Sequence, residues 1–186
     1  EVYDYYHPRG NKRSIIYRMG TQERAAMGGM RGVGFGVLFG LADPVADCFR
    51  LGLHAYLVQR KYPHVEIAVS FPRIRPTHGA EDVDNTNRIG ERKLMQFICA
   101  MRIFLPFASI TISTRERKEF RDQAMIYAAT KISASVDTGI GRRGEEADED
   151  EGEEQFVIAD TRTLDEIEKD LKKEGLYVLR NDYIRL

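Results

Sequence analysis

Two β-rich runs that are almost free of charge constrain the fold of this chain more than any other feature. They cover residues 65–71 and 108–114, and each leads into one or two arginines. Helical sequence follows each run, which is typical of strands buried on both faces of a parallel sheet. Strands that alternate with helices at this spacing form βαβ units with right-handed crossovers. The sequence therefore predicts an α/β fold built on parallel strands.

The same alternation extends to four strands in all, which is half of an eight-stranded TIM-type (β/α) barrel. The predicted strands are Arg31–Leu38, Val65–Phe71, Ala108–Thr114 and Lys131–Val136. The predicted helices are Thr21–Met30 with Thr21 as N-cap, Pro44–Tyr62, Gly90–Leu105 and Arg117–Ala128. A half barrel leaves two strand edges unpaired, so we expect either a longer native chain or a homodimer that pairs through these open edges.

Charge and turn residues divide the chain into three parts. Residues 1–137 are predicted to form the half barrel, 138–155 an acidic, disordered loop, and 156–186 a short α/β tail that packs on the barrel. Eight acids and no base lie between Glu145 and Glu154. In the tail we expect an extended run at 156–159, a helix over 163–173 with a Thr163–Glu166 capping box, and a short strand at 177–179.

Composition excludes several classes of protein. No run of about 18 apolar residues is present, and the first residues lack the pattern of a signal peptide, so we expect a cytoplasmic protein that does not bind membranes. Basic residues are spread along helices, which disfavours nucleic-acid binding. The two cysteines, Cys48 and Cys99, lie in helical patterns and are predicted to be reduced. No histidine has a partner at metal-ligand spacing.

The candidate binding residues follow the two central strands. Ligands bind at the carboxyl ends of parallel strands, and guanidinium groups suit carboxylates or phosphates. Ser113 and Arg115 would share one face of an extended backbone, and we expect the side chains of Arg73 and Arg115 to converge on a common opening. Two alternatives stay open: Arg73 could pair with a nearby acid, and Ser113 or Thr114 could cap the next helix.

The first predicted strand carries three alternating glycines. Gly32, Gly34 and Gly36 are not arranged as a strand-to-helix phosphate loop. Close approach of a nucleoside, or of a facing helix, explains them better. From these residues alone the prediction is an anion-binding half barrel without an identifiable catalyst.

Four ordered motifs resemble one family, the 2-iminoacetate synthases of thiamine biosynthesis, which are the tyrosine-lyase branch of the radical S-adenosylmethionine enzymes. The tail from Glu154 to Leu176 is similar to the biotin-and-thiamin-synthesis-associated region of these enzymes. A tyrosine lyase that matures [FeFe]-hydrogenase is the closest rival, but it carries C-terminal cysteines that this tail lacks. The motifs are His7-Pro8-x-Gly10-x-Lys12, Gly32 to Leu41, Ser70-Phe71-Pro72-Arg73-Ile74-Arg75-Pro76 and Ser113-Thr114-Arg115-Glu116.

The resemblance implies the C-terminal half of an enzyme that uses S-adenosylmethionine and a [4Fe-4S] cluster to cleave tyrosine to dehydroglycine (2-iminoacetate) and p-cresol. The family's Cys-x3-Cys-x2-Cys loop is absent from this sequence, so we expect the chain alone to hold no cluster and to be inactive. By analogy, the tyrosine-binding residues are Arg73, Ser113, Arg115 and Ser70. The residues that border S-adenosylmethionine are Gly34, Gly36 and Arg18.

Other functions remain open at this point. The tail and the acidic segment could form a non-catalytic module that docks thiazole synthase and sulfur-carrier proteins of the thiamine pathway. The chain could also derive from a radical enzyme that resembles biotin synthase or the hydrogenase maturase. A complete small α/β phosphate binder that uses the arginines is a third alternative.

Overall fold

The computed structural model describes residues 2–74, 85–136 and 158–180. Four parallel strands lie in the order β1-β2-β3-β4, with helices between them. The predicted α/β fold with four parallel strands is confirmed. The strands are β1 (Gly32–Gly36), β2 (Glu66–Ser70), β3 (Ser109–Ile112) and β4 (Lys131–Ile132). The helices are α1 (Val2–Tyr6), α2 (Ile15–Met19), α3 (Thr21–Met27), α4 (Pro44–Lys61), α5 (Glu91–Phe104), α6 (Lys118–Tyr127) and α7 (Leu164–Lys173), with a 3-10 turn at Asn85–Asn87.

Local sequence explains where the long helices begin. Pro44 is the first residue of α4, and the Asp43 carboxylate accepts hydrogen bonds from the amides of Val45 and Ala46. These contacts satisfy amides that have no partner inside the helix. In α7, the Thr163 hydroxyl and the Glu166 carboxylate form the predicted capping box. Gly175 follows α7 with a φ of +77°, a conformation that favours glycine.

Strand alternation gives the sheet two different faces. On one face, Phe35, Val69 and Ile110 are buried beneath the helices together with the apolar sides of α4, α5 and α6. The opposite face carries mostly small residues at the alternate positions, and we call it the open face. Its members, as the strand register defines them, are Gly32, Gly34, Gly36, Glu66, Ala68, Ser70, Ser109, Thr111 and Lys131.

The N-terminal region differs from the prediction. Residues 2–6 and 15–19 form two short helices in a stretch whose pattern predicted none. Thr21 is the first helical residue of α3 and not its cap, because Gly20 both ends α2 and begins α3. Gly20 is therefore the one residue between the two helices.

The fourth strand and the tail also differ from the prediction. β4 has only two residues instead of the six over 131–136, and Ser135 has a φ of +49° that takes the chain out of the extended conformation. Residues 177–179 are not a strand, and Tyr177 and Leu179 are more than 80% exposed. Alternating apolar residues form a strand only where they pair with a sheet, and residues 177–179 pair with none of the four strands. The acidic segment and Arg75 lie outside the described residues.

One edge of the sheet is contacted by a helix. The Gln22 side chain of α3 donates a hydrogen bond of 3.0 Å to the Gly34 carbonyl of β1. That carbonyl belongs to a strand whose described pairing is with β2 alone. Pairing of two copies through the sheet edges stays a prediction. Among the described helices, none combines the length and the apolar character needed to cross a bilayer.

Candidate functional site

The open face contains a shallow cavity of about 370 Å³ above β1, β2 and β3. The register aligns Gly36 with Ser70 and Ser70 with Thr111, so these three residues form a row across the sheet. Lys131 of β4 continues the row beside Thr111. Small side chains at these positions leave space above the backbone, and the two hydroxyls supply donors and acceptors there. Thr111 and Lys131 are residues of this face that the sequence analysis did not identify.

The two glycines of β1 differ in the space beside them. A Cβ atom added to Gly34 would have no heavy atom within 4 Å. A Cβ atom at Gly36 would lie 2.7 Å from the Ser70 hydroxyl. Gly34 therefore borders open volume, whereas Gly36 allows close approach of the Ser70 side chain. The β1 backbone is therefore accessible from the open face at Gly34.

Arg73 lies beyond the end of β2, near the start of α5, in a buried ion pair. Its guanidinium donates to both Glu116 carboxylate oxygens, at 2.8 Å from Nε and 2.5 Å from Nη2. Nη1 donates to the Ile89 carbonyl at 2.7 Å. Arg73 and Glu116 are only 6% and 3% exposed. This arrangement is the acid pairing that the sequence left open as the alternative to ligand contact.

Ser113 and Arg115 lie in a turn that follows β3, which we call the β3 turn (113–116). The Glu116 amide donates to the Ser113 carbonyl at 3.2 Å, and the Arg115 amide donates to the Ser113 hydroxyl at 3.2 Å. The predicted extended backbone through Arg115 is wrong, because the strand ends at Ile112. Capping of the next helix by Ser113 or Thr114 is also not observed, since Arg117 is the N-cap of α6.

The environment of Arg115 differs from that of Arg73. Arg115 is partly buried, and burial lowers its pKa while the neighbouring Glu116 carboxylate opposes that effect. Arg73 is enclosed by Glu116 and Ile89, and convergence of the Arg73 and Arg115 guanidinium groups on one opening stays a prediction. The β3 turn nevertheless links them, since Glu116 pairs with Arg73 and is adjacent to Arg115 in sequence.

Arg18 lies in α2 and its side chain is exposed. No described contact links that side chain to the open face. Ser70, in contrast, lies on the open face, and its hydroxyl is 3.5 Å from the Phe35 carbonyl. Among the predicted ligand-binding residues, the structure therefore brings Gly34, Gly36 and Ser70 together.

A buried network of charges joins the C-terminal segment to the end of the sheet. Arg121 of α6 is fully buried and donates to the Asp160 carboxylate and to the Ser133 carbonyl just after β4. The amides of Ala159 and Asp160 both donate to the Thr114 carbonyl, at 2.9 and 3.2 Å. Sequence analysis missed this network. The sequence contains one indication of this network: the charged residue Arg121 lies on the same face of α6 as the buried residues Phe120 and Ala124.

Arg162 extends the network to the surface of α6 and α7. It donates to Asp160 at 2.7 Å and, through two nitrogens, to Asp122 at 2.8 and 3.1 Å. Burial alone would raise the pKa of Asp160, but hydrogen bonds from Arg162 and the charge of Arg121 outweigh it, so this pKa is lowered. Burial also lowers the pKa of Arg121. The hydrogen bonds from Arg162 and the charge of Arg121 therefore favour the charged form of Asp160.

The chain has two cysteines, and neither lies at the open face. Cys48 belongs to α4 and Cys99 to α5. Burial raises the pKa of the Cys48 thiol to about 11, so it is protonated at neutral pH and is a poor metal ligand. Within the described ranges, no group of three or more His, Cys, Asp and Glu side chains is placed to hold a metal ion. Two thiols cannot supply the three thiolates of a cluster-binding loop.

Curated proteins with similar sequences are enzymes of one kind. The chain is 32% identical over 183 residues to the 2-iminoacetate synthases of Salmonella typhimurium and Escherichia coli. The match covers 98% of this chain and 47% of either relative. The chain thus spans about half the length of these relatives.

Solved structures of similar proteins support the same fold. HydG, a maturase of the [FeFe]-hydrogenase, matches with a TM-score of 0.79 and 28% identity over 95% of this chain and 37% of that protein. HydG from Carboxydothermus hydrogenoformans matches with a TM-score of 0.77 and 32% identity over 94% of this chain and 39% of that protein. Residues 70–177, more than half of the chain, match the sequence model of one protein family. The chain belongs to the Biotin and Thiamin Synthesis associated domain family.

Proposed function

We propose that this chain is the substrate-binding, C-terminal part of a radical S-adenosylmethionine lyase that cleaves tyrosine to dehydroglycine and p-cresol for thiamine thiazole synthesis. The observation that carries the proposal is the open face, where small residues leave a cavity beside the carboxyl ends of β1, β2 and β3. Ligand sites of (β/α) barrels lie at that end of the strands. Similarity to 2-iminoacetate synthases supports tyrosine as the proposed substrate.

The β3 turn supplies the groups proposed to bind the amino acid. Arg115 would pair with the substrate carboxylate, and the Ser113 hydroxyl would donate a second hydrogen bond to it. A carboxylate held in this way fixes the orientation of the substrate relative to the open face. Ser70 is the remaining polar residue proposed to contact tyrosine, because its side chain lies on that face. We assign Arg73 to the support of the β3 turn through Glu116 rather than to direct contact.

Gly34 and Gly36 are proposed to border S-adenosylmethionine, because the β1 backbone is accessible beside Gly34. When bound in the complete enzyme, S-adenosylmethionine and its [4Fe-4S] cluster would supply the radical that abstracts hydrogen from tyrosine. The cluster's thiolates must come from residues outside this chain, which has only two cysteines. Inactivity of the chain alone, a cytoplasmic location and docking of thiazole synthase or a sulfur carrier stay predictions.

The decisive variant is Arg115→Ala in the complete parent enzyme. We expect the dissociation constant for tyrosine to rise about tenfold or more, because a hydrogen bond to a charged group contributes about 1.5–3 kcal/mol. The affinity for S-adenosylmethionine should stay unchanged. Both constants can be measured by isothermal titration calorimetry with the reconstituted enzyme.

The matched control is Arg50→Ala, which removes an exposed arginine of α4 whose partner is Asp47. This control should leave both dissociation constants at the wild-type values. An unchanged tyrosine affinity in Arg115→Ala would contradict the assignment of the β3 turn to the substrate carboxylate.

A further inference from the structure

We infer that Asp160 is a positioning residue for substrate binding, because it fixes the β3 turn from the C-terminal segment. This inference rests on the proposed function, in which Ser113 and Arg115 bind the amino acid. It adds a residue that lies outside all four motifs, and it gives the C-terminal segment a role in the site.

The turn is held from two sides. On one side, the amides of Ala159 and Asp160 donate to the Thr114 carbonyl at 2.9 and 3.2 Å. On the other side, the Glu116 carboxylate receives two hydrogen bonds from Arg73, which follows β2. Thr114 lies between the two proposed substrate ligands in sequence, and the residue is 1% exposed. A shift of the Thr114 carbonyl therefore shifts Ser113 and Arg115 with it.

The Asp160 side chain determines where its own backbone lies. Its carboxylate receives hydrogen bonds from Arg121, which is 0% exposed, and from Arg162. Arg121 also donates to the Ser133 carbonyl after β4. One carboxylate thereby connects the C-terminal segment to helix α6 and, through Arg121, to the end of β4.

Removal of the negative charge should loosen this connection. Without it, the buried Arg121 guanidinium and the neighbouring Arg162 guanidinium would face each other across a neutral amide. Loss of one partner from a buried ion pair leaves the other charge uncompensated. The backbone at 159–160 would then move away, and the Thr114 carbonyl would lose its two donors.

The test is Asp160→Asn in the complete parent enzyme, with Asp122→Asn as the matched control. Asp122 also pairs with Arg162, at 2.8 Å, but it has no described contact with the β3 turn. Two readouts are compared: the dissociation constants for tyrosine and S-adenosylmethionine, and hydrogen–deuterium exchange of the peptide that spans residues 113–116. The exchange readout is independent of catalysis.

We expect Asp160→Asn to weaken tyrosine binding about tenfold or more, since small misplacements of binding groups have effects of that size. Affinity for S-adenosylmethionine should stay within twofold, and the Glu116 amide should exchange faster. Asp160→Glu, which retains the charge, should recover part of the tyrosine affinity. Asp122→Asn should leave the exchange of the β3 turn and both affinities unchanged.

Three results would overturn the inference. In the first, Asp160→Asn binds tyrosine as the wild type does. In the second, Asp122→Asn weakens tyrosine binding equally, which would mean a general loss of stability. In the third, Asp160→Asn does not fold and Asp160→Glu folds with faster exchange of the β3 turn but normal tyrosine affinity, which would mean that the position of the turn does not affect substrate binding.

The proposed function can fail separately from this inference. If Arg115→Ala binds tyrosine normally, the β3 turn does not bind the substrate, and that part of the proposed function is wrong. If Arg115→Ala weakens tyrosine binding while Asp160→Asn changes neither the exchange of the turn nor the affinity, only the inference about Asp160 is wrong.

Discussion

At the scale of single residues, the absence of a side chain at Gly34 determines how closely a ligand can approach β1. The backbone there is accessible from the open face, and an added Cβ atom would meet no heavy atom within 4 Å. The space is therefore not needed for packing within the described residues. A bound ligand that occupies the space beside Gly34 would explain why no side chain fills it.

This interpretation predicts that Gly34→Ala separates folding from ligand binding. In the complete enzyme the variant should be as stable as the wild type or slightly more stable, because alanine in a strand costs about 0.5–1 kcal/mol less than glycine. Its affinity for S-adenosylmethionine should fall, because the new methyl group occupies the space proposed for the adenosyl group. Thermal unfolding and equilibrium titration measure the two effects.

Gly90→Ala is the matched control for this substitution. Gly90 is the N-cap of α5, and a Cβ atom there also has no neighbour within 4 Å. That variant should bind S-adenosylmethionine normally. Normal binding by Gly34→Ala as well would mean that the ligand does not lie against this part of β1.

Residue-level predictions from sequence succeed where strand alternation decides them and fail where a distant partner decides them. The face on which Ser70 lies follows from the two-residue period of β2. The position of Arg73 depends on Glu116, which is 43 residues away in sequence. The turn after Ile112 also breaks the alternation that would have put Ser113 and Arg115 on one face. Neither the pairing of Arg73 with Glu116 nor the turn after Ile112 can be predicted from the local sequence pattern.

At the scale of secondary-structure elements, α7 is held by buried apolar side chains and by ion pairs, one of which joins it to α6. Ile167 and Leu171 of α7 are almost fully buried. Asp170 of α7 pairs with Lys118 of α6 at 2.6 Å and with Arg162 at 3.0 Å. The helix itself could be predicted from its capping box, whereas its docking partners could not, because charge pairs between distant segments leave no periodic signal.

These ion pairs predict a loss of stability in acid. Hydrogen bonds from Lys118 and Lys173 are the main cause of the lowered pKa of Asp170, and the pKa of Asp160 is lowered as well. A carboxyl group whose pKa is lower in the folded state stabilises the fold above its unfolded pKa of about 3.9. That contribution is lost as the pH falls through the folded pKa. We therefore expect the free energy of unfolding to fall below about pH 4.

Urea titrations of the chain, followed by circular dichroism between pH 7 and pH 2, measure this dependence. Asp170→Asn should be less stable than the wild type at pH 7 and should lose less stability in acid. Asp4→Asn, which changes a carboxyl group of α1 far in sequence from α7, should keep the acid sensitivity of the wild type. An equal loss in acid for Asp170→Asn and the wild type would remove Asp170 as a cause.

At the scale of the whole molecule, the sheet has four parallel strands, and its open face is the side that the described helices leave uncovered. The order of strands and helices could be predicted from hydrophobic periodicity, because each βαβ unit buries one face of a helix against the sheet. The length of β4 could not, because it depends on where the chain leaves the sheet after Ile132. The chain spans about half of its curated relatives, so we propose that the rest of the parent enzyme covers the open face.

A crystal structure of the complete parent enzyme with tyrosine and S-adenosylmethionine bound tests the central claim most directly. The account predicts the tyrosine carboxylate within hydrogen-bond distance of Arg115 or Ser113. It also predicts the adenosyl group against the backbone of β1 at Gly34. Ligands bound on the helix-covered side of the sheet, or tyrosine held by residues remote from the β3 turn, would contradict it.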